Sequence, residues 1–190
     1  MDAVATMGRV ITESRRLVDG ISPEQLGNET LCTEWTVRDV LNHITGGAVY
    51  FGRVTEEESV PDEVVGQLLG GGDNLGDDYK GAFNRAADSA MAAFSQPGVL
   101  DKIVKLPFGE VPAAVALNIA IFDVSTHNCD LAQATGQRIQ DSDVLVSALD
   151  VGKQVVQADM RVPGFFGPEQ PCSDAAPPDQ RLLAFAGRDV

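Results

Sequence analysis

The chain has only two imidazoles, His43 and His127, and the second stands four residues after an acid in Asp123-Val124-Ser125-Thr126-His127. On a helix, residues four apart leave the same face with Cβ atoms about 6 Å apart. A carboxylate oxygen and an imidazole nitrogen so placed can reach one ion, each at the roughly 2.0–2.2 Å usual for zinc. His43, on a neighbouring antiparallel helix, would supply the third ligand, as in bundles that hold metals through inward-facing side chains of different helices. His43, Asp123 and His127 therefore predict a divalent-metal site, with the two histidines' ring nitrogens about 3–4 Å apart. The plain alternative for such a pair is a surface ion pair or a satisfied core histidine. The residues within two turns of His127 on its own face (Ala120, Asp123, Asp130 and Ala134) are small or acidic, which suits a pocket better than a packed seam. Three protein ligands leave a coordination position open, as catalytic rather than structural sites do.

Helices must position these residues. Val4, Met7, Val10, Ile11 and Leu17 recur at three- and four-residue steps and predict a first helix over 3–18, stopped by Gly20. Thr36 is an N-cap with Asp39 as the reciprocal arm of a capping box, so a second helix should carry His43 and run to about residue 53. The acidic, glycine-punctuated stretch 55–78 reads as a long loop interrupted by a short helix over 62–69. A helix over 78–94 follows, with Phe83, Ala87, Met91 and Phe94 as its stripe. A small extended or hairpin element at 103–111 comes next. Pro112 suits a helix's first turn and Gly136 its C-terminal end, giving a long helix that carries Asp123 and His127. Helices over 142–160 and 178–186 complete the chain, the last within a proline-rich tail. The fold class expected is all-α: a four-helix bundle with an extra C-terminal helix and a small hairpin, forming one domain over 1–190.

Composition narrows the function classes. The 28 acidic against 14 basic residues give a net charge of −14, which repels phosphate backbones and anionic lipid heads. Neither nucleic acid nor membrane is an expected partner. The opening twenty residues are amphipathic, unlike a signal peptide, and no apolar run approaches the roughly 18 residues of a membrane span. Cys32, Cys129 and Cys172 form no CxxC spacing and no even framework, which fits a reducing compartment. A cytoplasmic protein is expected.

The segment Cys32-Thr33-Glu34-Trp35-Thr36-Val37-Arg38-Asp39-Val40-Leu41-Asn42-His43 is followed about 80 residues later by Asp123-x-x-x-His127-x-x-Asp130-Leu131-Ala132-x-Ala134-Thr135-Gly136-Gln137. With the tail Phe166-Gly167-Pro168 and Pro177-Pro178-Asp179-Gln180-Arg181-Leu182-Leu183-Ala184-Phe185-Ala186-Gly187-Arg188-Asp189, these resemble the actinobacterial branch of the DinB/YfiT-like superfamily. That branch includes the N-terminal domain of mycothiol-dependent maleylpyruvate isomerase. The resemblance implies a DinB-like four-helix bundle whose metal ligands map onto His43, Asp123 and His127. It also departs from the pattern. The isomerase carries Glu where this chain has the shorter Asp123, and many relatives carry an aromatic residue where Cys129 stands. Two residues past a ligand lies roughly 200° around a helix, so Cys129 should not bind the same ion. The isomerase has a further C-terminal domain, so its specific reaction does not transfer.

An open divalent ion, zinc or nickel for these ligands, can make a nucleophile of bound water or thiol at neutral pH. The resemblance favours thiolate: a low-molecular-weight thiol such as mycothiol as co-substrate and an electrophile as acceptor, an S-transferase-type reaction. A metal-dependent hydrolase and a non-enzymatic metal- or ligand-binding module are the alternatives, and homodimer formation is left open. Cationic groups in a pocket beside the ion would favour thiol transfer; no pocket would favour the binding module. Asp39 and Asp130 are candidates to orient the ligand histidines, against roles as a cap and a surface charge. Arg85 could greet an anionic substrate, although a solvent-facing arginine is the simpler reading.

Overall fold

Residues 2–161 and 166–190 are described by the computed structural model. Asp2 caps α1 (Ala3–Gly20), whose Met7, Val10, Ile11, Leu17 and Val18 are buried on one side. The capping box opens α2 (Val37–Glu56) as expected. The Thr36 side chain accepts from the Asp39 N–H, while the Asp39 carboxylate accepts the Thr36 N–H at 2.9 Å. The loop after α2 does contain a short helix, α3 (Asp62–Leu69), then α4 (Tyr79–Phe94) capped by Asp78. The antiparallel hairpin of β1 (Ile103–Leu106) and β2 (Gly109–Pro112) pairs Val104 with Val111 and Lys105 with Glu110. Pro112, at the N-cap rather than in the first turn, leads into α5 (Ala113–Thr135). Gly136 ends α5 at φ 69°, a left-handed conformation that favours glycine.

Four helices close a ring: α1 packs on α4 and α5, and α2 packs on the same two. Outside that ring α6 (Ser142–Val155) packs on α5, and α7 (Pro178–Phe185) packs on α6 and α5. With neighbours on every side, α5 is buried almost all round, from Leu117, Ile121 and Phe122 to Leu131, as a helix without a solvent stripe must be. The expected all-α four-helix bundle with its small hairpin is the fold found, with two C-terminal helices outside the ring where one was expected.

Two features differ most from the sequence reading. The 142–160 helix stops at Val155, and Ala158–Met160 form a separate 3-10 turn. The α3 region also folds back onto α2 more closely than a mobile loop would. Asn42 and Asn74 bond across it, with Asn74 N–H donating to Asn42 Oδ1 at 2.7 Å. Gly46 permits this approach, since a Cβ there would run into the Leu68 carbonyl oxygen. Among the described residues no helix is long and apolar enough to cross a membrane.

Candidate metal centre

The pairing of α2 with α5 brings His43 and the Asp123/His127 turn together. Asp123 stands between the imidazoles: His43 Nε2 is 3.3 Å from Asp123 Oδ2, and His127 Nε2 is 3.7 Å from Asp123 Oδ1. Ligand atoms of all three residues lie within 4.8 Å of one another. These separations exceed the roughly 2.7–2.9 Å of a good charge-assisted hydrogen bond. They match the roughly 3.3 Å or more between atoms that share an ion at about 2.0–2.2 Å. The donor set, two nitrogens and a hard oxygen, suits a borderline divalent ion. The residues fit the group the fold implies.

His127 is held from behind. Its Nδ1 lies 2.9 Å from Asp130 Oδ2, so with Asp130 ionised the Nδ1–H donates and Nε2 is the ring atom left facing Asp123. Asp130 is fully buried and also accepts from Arg188 Nη2 at 2.9 Å and Nε at 3.3 Å. Burial alone would raise its pKa, but His127 and Arg188 hold it below the ordinary carboxylate range. Asp130 is thus the orienting partner, whereas Asp39 serves only as the helix cap. His43 lacks such support, its Nδ1 being buried without a hydrogen-bond partner among the described residues.

Trp35 covers both rings. Its indole is tilted at 5.0 Å from His43 and stacked at 5.6 Å, within 13° of parallel, on His127. A loop positions it, in which Thr30 N–H donates to the Trp35 carbonyl and Glu29 bridges Thr36. Cys32, in the same loop, offers its sulfur to a second group with His127 and Asp130. That group makes a poor metal site. Asp130 is occupied by Arg188, and burial pushes the Cys32 thiol up to about 11, away from thiolate. Cys129 is buried in the core, off the centre, as its helical phase requires. Arg85 is exposed and reaches Asp78, as the simpler reading of a solvent-facing arginine expects.

An apolar slot opens between α1, α2, α4 and α5, with Asp123 among its lining residues. Contrary to the expectation attached to thiol transfer, none of its lining residues is a cation. Its existence does meet the requirement for a pocket beside the centre.

The centre's charges predict a pH dependence. Burial opposes a charge on His43, but the Asp123 carboxylate more than offsets this and raises the imidazole's pKa above its ordinary value. Burial likewise opposes the Asp123 charge, yet His43, His127 and Arg188 hold that carboxyl down at about 2. In metal-free protein, His43 therefore binds its proton more tightly folded than unfolded. Its stabilisation is complete below the unfolded pKa of about 6.5 and is lost as pH rises through the higher folded value. Metal competes with the proton, so saturating zinc should reverse the slope. Urea midpoints at about pH 6 and 8, with chelator and with zinc, test both signs.

Two imidazoles and a carboxylate on facing helices are the kind of side chains from which bundles build metal sites. The chain belongs to the mycothiol maleylpyruvate isomerase N-terminal domain family, whose model matches residues 7–132. Two uncharacterized proteins of Mycobacterium tuberculosis, from strains CDC 1551 / Oshkosh and H37Rv, are each 34% identical to it over 196 residues, covering 100% of both chains. The crystal structure of the mycothiol-dependent maleylpyruvate isomerase shares the fold at TM-score 0.64 and 17% identity. A histidine-to-alanine mutant of that isomerase matches at TM-score 0.64 and 16% identity. The alignment covers 78% of this chain and 66% of the isomerase.

Proposed function

We propose that this chain is a single DinB-like domain that binds one divalent ion, zinc or nickel, through His43, Asp123 and His127. On this reading it catalyses transfer of a low-molecular-weight thiol, mycothiol, to an electrophilic acceptor. The observation that carries the reading is the convergence of three possible ligand groups, one of which, Asp123, also lines a slot, in a family named for a mycothiol enzyme. When bound, the ion supplies one thing, a lowered pKa for a thiol at its open position. The protein's own residues do the rest. Asp130 fixes the His127 ring, Trp35 shields both imidazoles from water, and the slot seats the acceptor beside Asp123. In the transfer a carbon–sulfur bond forms. The acceptor's leaving group departs with its electron pair, and the thiol proton passes to solvent. The free cysteines and the thiol co-substrate fit a reducing cytoplasm.

Zinc-loaded protein should accelerate the loss of mycothiol in the presence of chlorodinitrobenzene. The rate should rise with pH through a pKa well below the ~8.5 of a free thiol. His127→Ala serves as the blank. Turnover of esters without thiol would mark a hydrolase instead, and equal rates for wild type and blank in every assay would leave a binding module.

A further inference from the structure

We propose that the organic ligand of this centre, which on the reading above is the acceptor, is uncharged and apolar, and that it lies in the slot between α1, α2, α4 and α5. Apolar side chains of all four helices line the space, among them Met7, Ile44, Phe51, Phe83 and Met91, and Asp123 alone brings a charge. The empty volume, open mouth included, is about 460 Å³, while the enclosed part is narrow, with room for about one water molecule. A second observation marks the space as real. Gly47 is buried, yet a Cβ there would meet no heavy atom within 4 Å. The wall beside Gly47 is therefore empty, not packed.

Charge selects the occupant. A carboxylate or phosphate entering this slot would leave water for an apolar lining and find no cationic side chain there. An ion held by Asp123 could meet only a group placed directly against it, so a charge carried elsewhere on the ligand would face apolar walls alone. Arg188, whose charge acts on His43 and Asp123, is bound to Asp130 and to the Ala186 carbonyl and does not line the slot. An anionic acceptor such as maleylpyruvate is thus poorly matched, whereas an aromatic or alkyl electrophile gains by burial. Met7 and Met91, unbranched and flexible, let a narrow slot widen around ligands of different shape.

The test uses the full zinc-loaded chain and two fluorescent probes with the same rings, uncharged phenylnaphthylamine and anionic anilinonaphthalene sulfonate. Wild type should bind the uncharged probe at least about tenfold more tightly. Gly47→Val, which places two methyl groups in the void, should weaken that binding about tenfold with zinc content unchanged, and Gly47→Ala should weaken it less. Equal affinity for the two probes, or binding indifferent to both substitutions, overturns the proposal. Turnover separates it from the thiol-transfer reading. If mycothiol is consumed as fast with chloronitrobenzoate as with chlorodinitrobenzene, the proposal fails and thiol transfer stands. If the uncharged probe binds as expected and neither acceptor reacts, the ligand class stands and thiol transfer falls.

Discussion

Replacing His127 with alanine should empty the centre, lowering zinc affinity by at least about a hundredfold. The size follows from comparison. Loss of a supporting partner behind a ligand typically costs 10–100-fold, and loss of the ligand itself costs no less. His127 is the best-held of the three, its Nδ1 fixed by Asp130 and its ring stacked under Trp35. His43→Ala should act in the same direction, and Cys129→Ala, in the core, should leave occupancy intact. Asp123→Glu tests reach: it extends the acid by one methylene into a gap now 3.3 and 3.7 Å from the two imidazoles. Competition against a chromophoric chelator measures all four. Stoichiometric zinc retained by His127→Ala, or none in wild type kept from chelators, would end the metal assignment.

The second large effect belongs to Arg188→Leu, expected to destabilise the metal-free protein by about 3–5 kcal/mol. Asp130 has no solvent exposure, and Arg188 supplies two of the hydrogen bonds to it. Without the guanidinium a buried carboxylate keeps only His127, and its pKa must rise. Against a typical total of about 5–15 kcal/mol the loss is large. Once protonated, Asp130 accepts less strongly from His127, so zinc affinity should also drop, by about 10–100-fold. Asp130→Asn combined with Arg188→Leu removes the stranded charge and should recover part of the stability. Urea denaturation of the four proteins measures this cycle, and a single-mutant cost below about 1 kcal/mol would show that the pair holds nothing.

Local signals in the sequence carried much of this. Apolar stripes, the Thr36–Asp39 box and Gly136 each act within a turn or two of chain, so α1, α2 and α5 were readable with their ends nearly placed. The four-residue spacing of Asp123 and His127 was enough to put them together, and helix phase was enough to set Cys129 apart. Long-range features were not readable. Trp35 lies outside any helix, and its place over the two rings depends on how Glu29 bridges Thr36. Arg188 meets Asp130 from 58 residues away. Asp39 and Asp130 looked alike as candidate orienting acids, and only packing told the cap from the partner. The slot is a property of four helices at once, of which the lone local trace is a glycine at position 47.

Trp35 is the chain's sole tryptophan, and it sits against both imidazoles. An excited indole loses energy readily to a protonated histidine in contact with it and less to a neutral one. Ultraviolet emission from this protein therefore carries the state of one place in it. Dimming on acidification and brightening when a cation displaces the His43 ring proton would be read at this one place, with excitation set beyond the absorption of Tyr50 and Tyr79. The molecule is built with its own lamp beside its most reactive groups.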